Sequence, residues 1–335
     1  MSSQPPNPQQ ASLQRVLRPP LPPDTPVLEG THSGSAKGSG VMPPAERHPA
    51  VPQPQTAADL TYGAYLAVDE LLRLQRPLSE AHDELEFIVV HQVFELWFRL
   101  LLHELETVRD TLDRDDVRAA RALLLRCSEI VTSLVATLPL LETMRPSGFL
   151  EFRARLGGAS GLQSRQFREI EFLSGLRDPR YLRLFDRDPE NRAVLERRLR
   201  EPTVWDAALG VFARRGLPTQ PEGRLVDALA ATHGRPEWRD LDDLVDALLE
   251  YDSRFALWRY RHLLMVERLI GGRAGTGEAD VRALEAEKPS PAAPEAAPLP
   301  ATPGAAYPSG AAYLQRTLPK RFFPLLWQSR TRIGT

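Results

Sequence analysis

A single cysteine, Cys127, in 335 residues excludes an intrachain disulfide framework and any cysteine-built zinc site, and fits a reducing cytoplasm. It sits in the helical run Arg121 to Leu138, where it reads as a small buried hydrophobe. No uninterrupted apolar run reaches the roughly 18 to 20 residues that a membrane helix needs. The first twenty residues lack a sustained apolar stretch and are broken by Pro5, Pro6, Pro8, Pro19 and Pro20, so no signal peptide is expected. A net charge of −2 gives no reason to expect nucleic acid or an anionic membrane as partner. Alternating β-branched runs bounded by hairpin turns are missing, which argues against a sheet of any size. Absent too are a GxSxG elbow, a P-loop, a strand-borne GxGxxG and an HExxH pair.

What remains is a helical chain with ample core material, 42% hydrophobic and 26% charged, as in an ordinary soluble protein. Residues 1–57 are rich in Pro, Gly, Ser and Gln with few large apolar side chains. Such a segment cannot offset its ordering entropy and reads as a disordered tail. From about residue 58 the texture turns to helical periods: Tyr62 to Leu74, Asp83 to Leu112, Arg118 to Leu138 closed by Pro139, and Phe149 to Leu156. Gln163 to Leu176 follows, then two smaller surface helices, Asn191 to Leu199 and Val204 to Arg214. Leu241 to Ile270 makes one or two helices ending at Gly271-Gly272. A Pro/Ala-rich insert at about 279–308 precedes a closing apolar segment with Phe322, Phe323 and Trp327. The expected fold is an all-α helical bundle without substantial sheet, one domain over 58–335.

The run Phe87-Ile88-Val89-Val90-His91-Gln92-Val93-Phe94-Glu95-Leu96-Trp97-Phe98 is apolar nearly all round, as a buried helix is. Phe87, His91, Phe94 and Phe98 recur at helical spacing, which sets an imidazole among aromatic rings. Of seven histidines, His32 and His48 fall in the tail. His82 and His103 read as solvated, and His233 as a loop residue. His262 shares a second apolar face with Phe255, Trp258, Met265, Val266 and Leu269. Each histidine alone is compatible with plain core packing. Two on separate aromatic faces of an all-α chain fit a haem pocket, one imidazole axial and the other opposite. Zinc would need three or four ligands in register. A di-iron bundle would need Glu-x-x-His pairs, and Glu267 follows His262 instead. Between the two helices, Arg153 could clamp a carboxylate with its planar fork. The small-residue run from Gly157 to Gly161 could let backbone approach a ligand, and Ser160 or Gln163 could cap the next helix. A second glycine turn carries Thr276 between Gly275 and Gly277.

These stretches resemble the tryptophan 2,3-dioxygenase family. The resemblance is carried by Tyr62-Gly63-Ala64-Tyr65-Leu66, FIVVHQVFELWF around His91, Leu141-Glu142-Thr143-Met144 and Phe149-Leu150-Glu151-Phe152-Arg153. It continues through ASGLQSRQFREIEFL from Ala159 to Leu173, LWRYRH ending at His262 and AGTG ending at Gly277. It resumes at Ser309-Gly310 and runs through TLPKRFFPLLW. The motifs keep the family's order over roughly 60–335 less the insert, which separates AGTG from the Ser-Gly that usually follows it directly.

The resemblance implies an all-α, cytoplasmic homotetramer with haem b, ferrous for activity. It implies insertion of both atoms of O2 across the indole C2–C3 bond of L-tryptophan, giving N-formylkynurenine, the first step of the kynurenine route. It implies His262 as the axial iron ligand and His91 as the distal histidine that meets the indole N–H. Arg153 is then the partner of the substrate carboxylate, Thr276 a contact of its amino-acid end, and Phe87 and Phe149 walls of the indole pocket. Ser160 is expected beside the haem, and Tyr62 and Tyr65 in a neighbouring subunit's site. The alternatives are a diverged member oxygenating a modified tryptophan in a biosynthetic pathway, and a non-catalytic haem-binding sensor.

Overall fold

The computed structural model describes residues 60–285 and 310–334. The tail expected over 1–57, and the insert beyond Glu285, lie outside the described residues. The chain divides after Tyr65 into two compact units. In the first, the described residues open α1 (Tyr62–Leu66), on which Tyr62 and Tyr65 are 79% and 73% exposed.

The second unit, from Leu66, is helical throughout, with no strand among the described residues. After α2 (Val68–Leu71) come α3 (His82–Asp113), α4 (Val117–Leu141), α5 (Pro146–Arg153) and α6 (Arg165–Ser174). Then follow α7 (Pro189–Arg200), α8 (Val204–Arg214), α9 (Glu222–Thr232) and α10 (Arg239–Ile270). The described chain closes with α11 (Glu278–Glu285), α12 (Gly310–Thr317) and α13 (Pro324–Thr331). The expected all-α bundle is what forms.

Its centre is α3, α4 and α10, with α4 packed along both of the others. Each brings an apolar stripe at helical spacing: Leu101, Leu105, Val108 and Leu112 from α3, Leu124, Val131, Leu134 and Leu138 from α4, all at 0% exposure. By length and composition alone α4 could cross a bilayer, but that stripe is spent on the other two helices. Caps fix the element starts. The Asp116 carboxylate accepts from Ala119 N at 3.0 Å at the head of α4. Thr203 and Asp206 form a reciprocal capping box on α8.

Local rules were overridden at four places. The expected helix from Tyr62 to Leu74 is interrupted at Ala67, whose φ is 49°. Pro139 does not close α4, which runs on to Leu141. Proline there removes one amide donor near the helix end, and burial of Leu141 (1% exposed) draws the last turn inward. Expected as a surface helix, α8 buries Val204, Ala208, Val211 and Phe212 completely against α3. Residues 278–285, expected to open the insert, form α11 instead, because Val281 and Leu284 find apolar partners.

The C-terminal segment is fastened by one buried carboxylate. Asp252 of α10 accepts Phe322 N at 3.0 Å, Phe323 N at 3.2 Å and Trp327 Nε1 at 2.9 Å. Burial raises its pKa, and those three donors pull it back. Phe322 then stacks on Tyr251 with ring centroids 5.4 Å apart. Replacing Asp252 by Ala leaves two buried amides without acceptors, so a loss of about 3 kcal/mol is expected. Denaturant melts of the variant check this, and an unchanged midpoint contradicts the role.

Candidate functional site

The Phe87–Phe98 face of α3 and the Trp258–Leu269 face of α10 line one cavity of about 260 Å³, near the ~300 Å³ at which small-molecule sites begin. His91 and His262 both border it. Arg153 at the end of α5, Ser160, Thr276 and Phe149 line it as well. The two faces read separately from the sequence thus converge, with the polar candidates between them.

His91 sits in an aromatic box, its ring 4.1 Å from that of Phe87 and 5.9 Å from that of Phe94. Phe149 stands 5.8 Å from Phe87. His91 Nδ1 lies 2.7 Å from the Phe87 carbonyl oxygen, so a proton on Nδ1 donates there and Nε2 is left as an acceptor. Burial lowers the His91 pKa, against the opposing pull of that carbonyl and of Glu95. The imidazole is therefore neutral at pH 7.

His262 is held differently. Trp258, one turn earlier, lies nearly parallel to it, centroids 5.1 Å apart at 9°. No described residue offers either ring nitrogen a hydrogen bond. Burial, with the His91 ring adding to it, lowers its pKa to about 4. A neutral imidazole, fixed in plane by stacking and facing a cavity, has a lone pair that it could give to a metal. Among the described residues no three His, Cys, Asp or Glu side chains could hold a metal ion. An iron here would have to bring most of its own ligands, as it does in a porphyrin. The residues fit such a group.

The polar side is built from loops. An Arg153 Nη2 donates to the Ala274 carbonyl oxygen, which leaves the rest of its fork for an anion. Ser160 Oγ accepts from Leu162 N at 3.1 Å and heads the 3-10 turn Gly161–Gln163; Ser164 caps α6. The glycine loop meets the chain that resumes after the insert. A Cβ placed on Gly275 would stand 3.5 Å from Gly310 Cα, and one on Gly310 3.3 Å from Gly275 Cα. His82 and His103 are exposed, and His233 bonds Asp242 at 3.3 Å. Tyr62 and Tyr65 precede the unit that contains the cavity.

Sequence reasoning missed a buried charge cluster in the same wall. Glu171 of α6 takes Arg168 Nη1 at 2.6 Å and Arg259 Nη2 at 3.0 Å. Arg168 also lies over the Tyr181 ring, 4.0 Å from its centroid. Burial alone would raise the Glu171 carboxyl, but Arg168, Lys320 and Arg259 bring it down to about 2. Charged residues on one helix read as a solvated face, and only the tertiary partners reveal otherwise. A carboxyl depressed in the fold stabilises fully above its ordinary value near 4.5 and loses that contribution as pH falls towards about 2. Glu171→Gln is therefore expected to cost about 3 to 5 kcal/mol at pH 7, by stranding buried arginines. Its stability should also fall less steeply than wild type between pH 4.5 and 2, as unfolding followed against pH would show.

Comparison with known proteins bears on this site. A family model described as tryptophan 2,3-dioxygenase matches residues 48–214. A protein of that name from a Nocardioides species is 40% identical over 287 residues, covering 83% of this chain and 97% of its own. One from Caulobacter vibrioides is 38% identical over 292 residues, covering 83% and 100%. One from Bacillus thuringiensis is 35% identical over 289 residues, covering 82% and 93%.

Proposed function

Since the chain belongs to the tryptophan 2,3-dioxygenase family, we propose that it opens the indole C2–C3 bond of L-tryptophan with O2, giving N-formylkynurenine in tryptophan catabolism. The observation that carries this reading is the pair of neutral imidazoles on facing helices of one aromatic cavity, with an arginine fork and a hydroxyl at its loop side.

Haem b in its ferrous state would supply O2 binding and activation, and His262 would be the residue that holds its iron. His91, its Nδ1 proton committed to the Phe87 carbonyl, offers Nε2 to the indole N–H. It orients the substrate and need not act as a strong base. Phe87 and Phe149 give the indole apolar walls and exclude water. Arg153 pairs with the carboxylate, and Thr276 meets the amino-acid end. The Ser160 hydroxyl accepts from Leu162 N, and its own proton would be free to donate to the bound group. Together these contacts would hold the substrate in one orientation, which is where positioning contributes most to rate.

We assign the protein to the cytoplasm as a homotetramer. Leu85, Val89, Leu96 and Leu100 form an exposed apolar stripe along α3, which a second copy would cover. Tyr62 and Tyr65, exposed on α1, are the residues we expect to reach a neighbouring subunit's site.

Reduced, haem-loaded protein given L-tryptophan and O2 should yield a product heavier by two oxygen atoms. A gain of one atom points to a diverged oxygenase, and no turnover despite haem binding to a sensor. His262→Ala should abolish the ligated haem spectrum; an unchanged spectrum overturns its role in holding the iron. Arg153→Ala should raise KM for L-tryptophan about 10- to 100-fold, the worth of a charged hydrogen bond. An unaffected KM removes the clamp assignment.

A further inference from the structure

We propose that α11 holds the glycine loop in place for the amino-acid end of the substrate, with Asp280 and Leu284 as positioning residues acting through Thr276 and Arg153. The inference rests on the function proposed above and adds the face of α11 turned away from the cavity, whose other face borders it through Glu278 and Val281. The loop that carries Thr276 holds four glycines, Gly271, Gly272, Gly275 and Gly277. Glycine has the most conformational freedom to lose, so a loop of this kind ordered only by its ligand would take that cost out of the affinity.

Here the loop is anchored by contacts of the chain itself. Gly271, at φ 56°, ends α10 and turns the chain. Arg153 donates to the Ala274 carbonyl, and Gly275 rests backbone to backbone on Gly310. Gly277 lies so close under Ser160 that an added Cβ would stand 2.8 Å from the serine Cβ. The fourth anchor is α11, whose Val281 N donates to the Gly277 carbonyl at 3.0 Å. Its inner face, Val281 at 3% and Leu284 at 6% exposure, is sunk in a cluster with Phe172, Tyr181, Phe185 and Tyr313.

A polar tie runs in parallel. Gln163 Nε2 donates to Asp280 Oδ2 at 2.9 Å and to the Gly158 carbonyl at 3.2 Å, which joins α11 to the loop bearing Ser160. Both ends of the Thr276 loop are therefore built into packed structure. Arg153, bonded to the same loop, is set with it. The segment that separates Gly277 from Gly310 thus begins as a brace for the binding loop.

The test compares L-tryptophan with 3-methylindole, which has the ring but no amino-acid end, on haem-loaded full-length enzyme. Leu284→Ala, a change outside the cavity lining, should raise the dissociation constant for L-tryptophan about tenfold. Its 3-methylindole affinity should not change, and kcat should stay within about twofold. Leu284→Met should restore wild-type binding. Asp280→Ala, a partly exposed change that leaves the apolar anchor intact, should show the same pattern at about two- to threefold, and decides the matter if the Leu284→Ala protein fails to fold. An unchanged L-tryptophan constant, or a parallel rise for both ligands, overturns the proposal while the functional reading stands. A wild-type enzyme that binds no L-tryptophan takes both down.

Discussion

The Asp252 carboxylate, accepting amides of Phe322 and Phe323 and the Trp327 indole, joins the last segment of the chain to the helix that carries His262. Everything at the site is referred to that helix. Ten residues along from Asp252, the same α10 presents His262, and between them Trp258 and Arg259 face the cavity and the Glu171 carboxylate. A buried carboxylate is costly unless its lone pairs are used, and three donors use them here. The consequence is a scaffold in which the C-terminal segment, α6 and the cavity wall share one rigid reference. A site whose parts must agree within fractions of an ångström needs such a reference.

The chemistry of the cavity follows from what burial does to imidazoles. In water, histidine hovers near half-protonation, and neither ligation nor acceptance of an N–H tolerates the proton. Desolvation lowers both pKa values, that of His262 to about 4. The two rings are then told apart by their partners. His91 has the Phe87 carbonyl at Nδ1, while His262 has a stacked indole and no hydrogen bond from the described residues. In the function proposed, the first would orient an N–H donor and the second would give a lone pair to a metal. The same residue type could serve two roles because its neighbours differ.

Much of this was legible in the chain. Helical spacing alone places Phe87, His91, Phe94 and Phe98 on one face and Trp258, His262 and Met265 on another, because both faces lie inside single long helices. Family resemblance supplies the roles expected of Arg153, at the end of a helix, and of Thr276, in a glycine loop, where periodicity has little to say. What stayed hidden depends on contacts distant in sequence. Glu171 is an ordinary helical glutamate until Arg259, 88 positions on, arrives beside it. Pro139 reads as a stop until the burial of Leu141 outweighs it. Helix α9 buries Leu225, Val226 and Leu229, an apolar face of little more than one turn, which is too short for a periodic signal.

The insert is where sequence reasoning and structure part most usefully. Composition treats the chain from 279 onward as Pro/Ala-rich filler, and loop-closure entropy says that filler of that length is tolerated. Tolerance is not the same as indifference. The glycine loop before it approaches Gly310 and Ser160 closely, and a side chain at Gly277 would push Ser160 away. Glycine secures that approach but leaves the loop free to leave it. An apolar pair one turn further along, Val281 and Leu284, supplies what glycine cannot, a buried area that disappears if the loop moves. Seen this way, the helix at the start of the insert compensates for the flexibility of the loop before it.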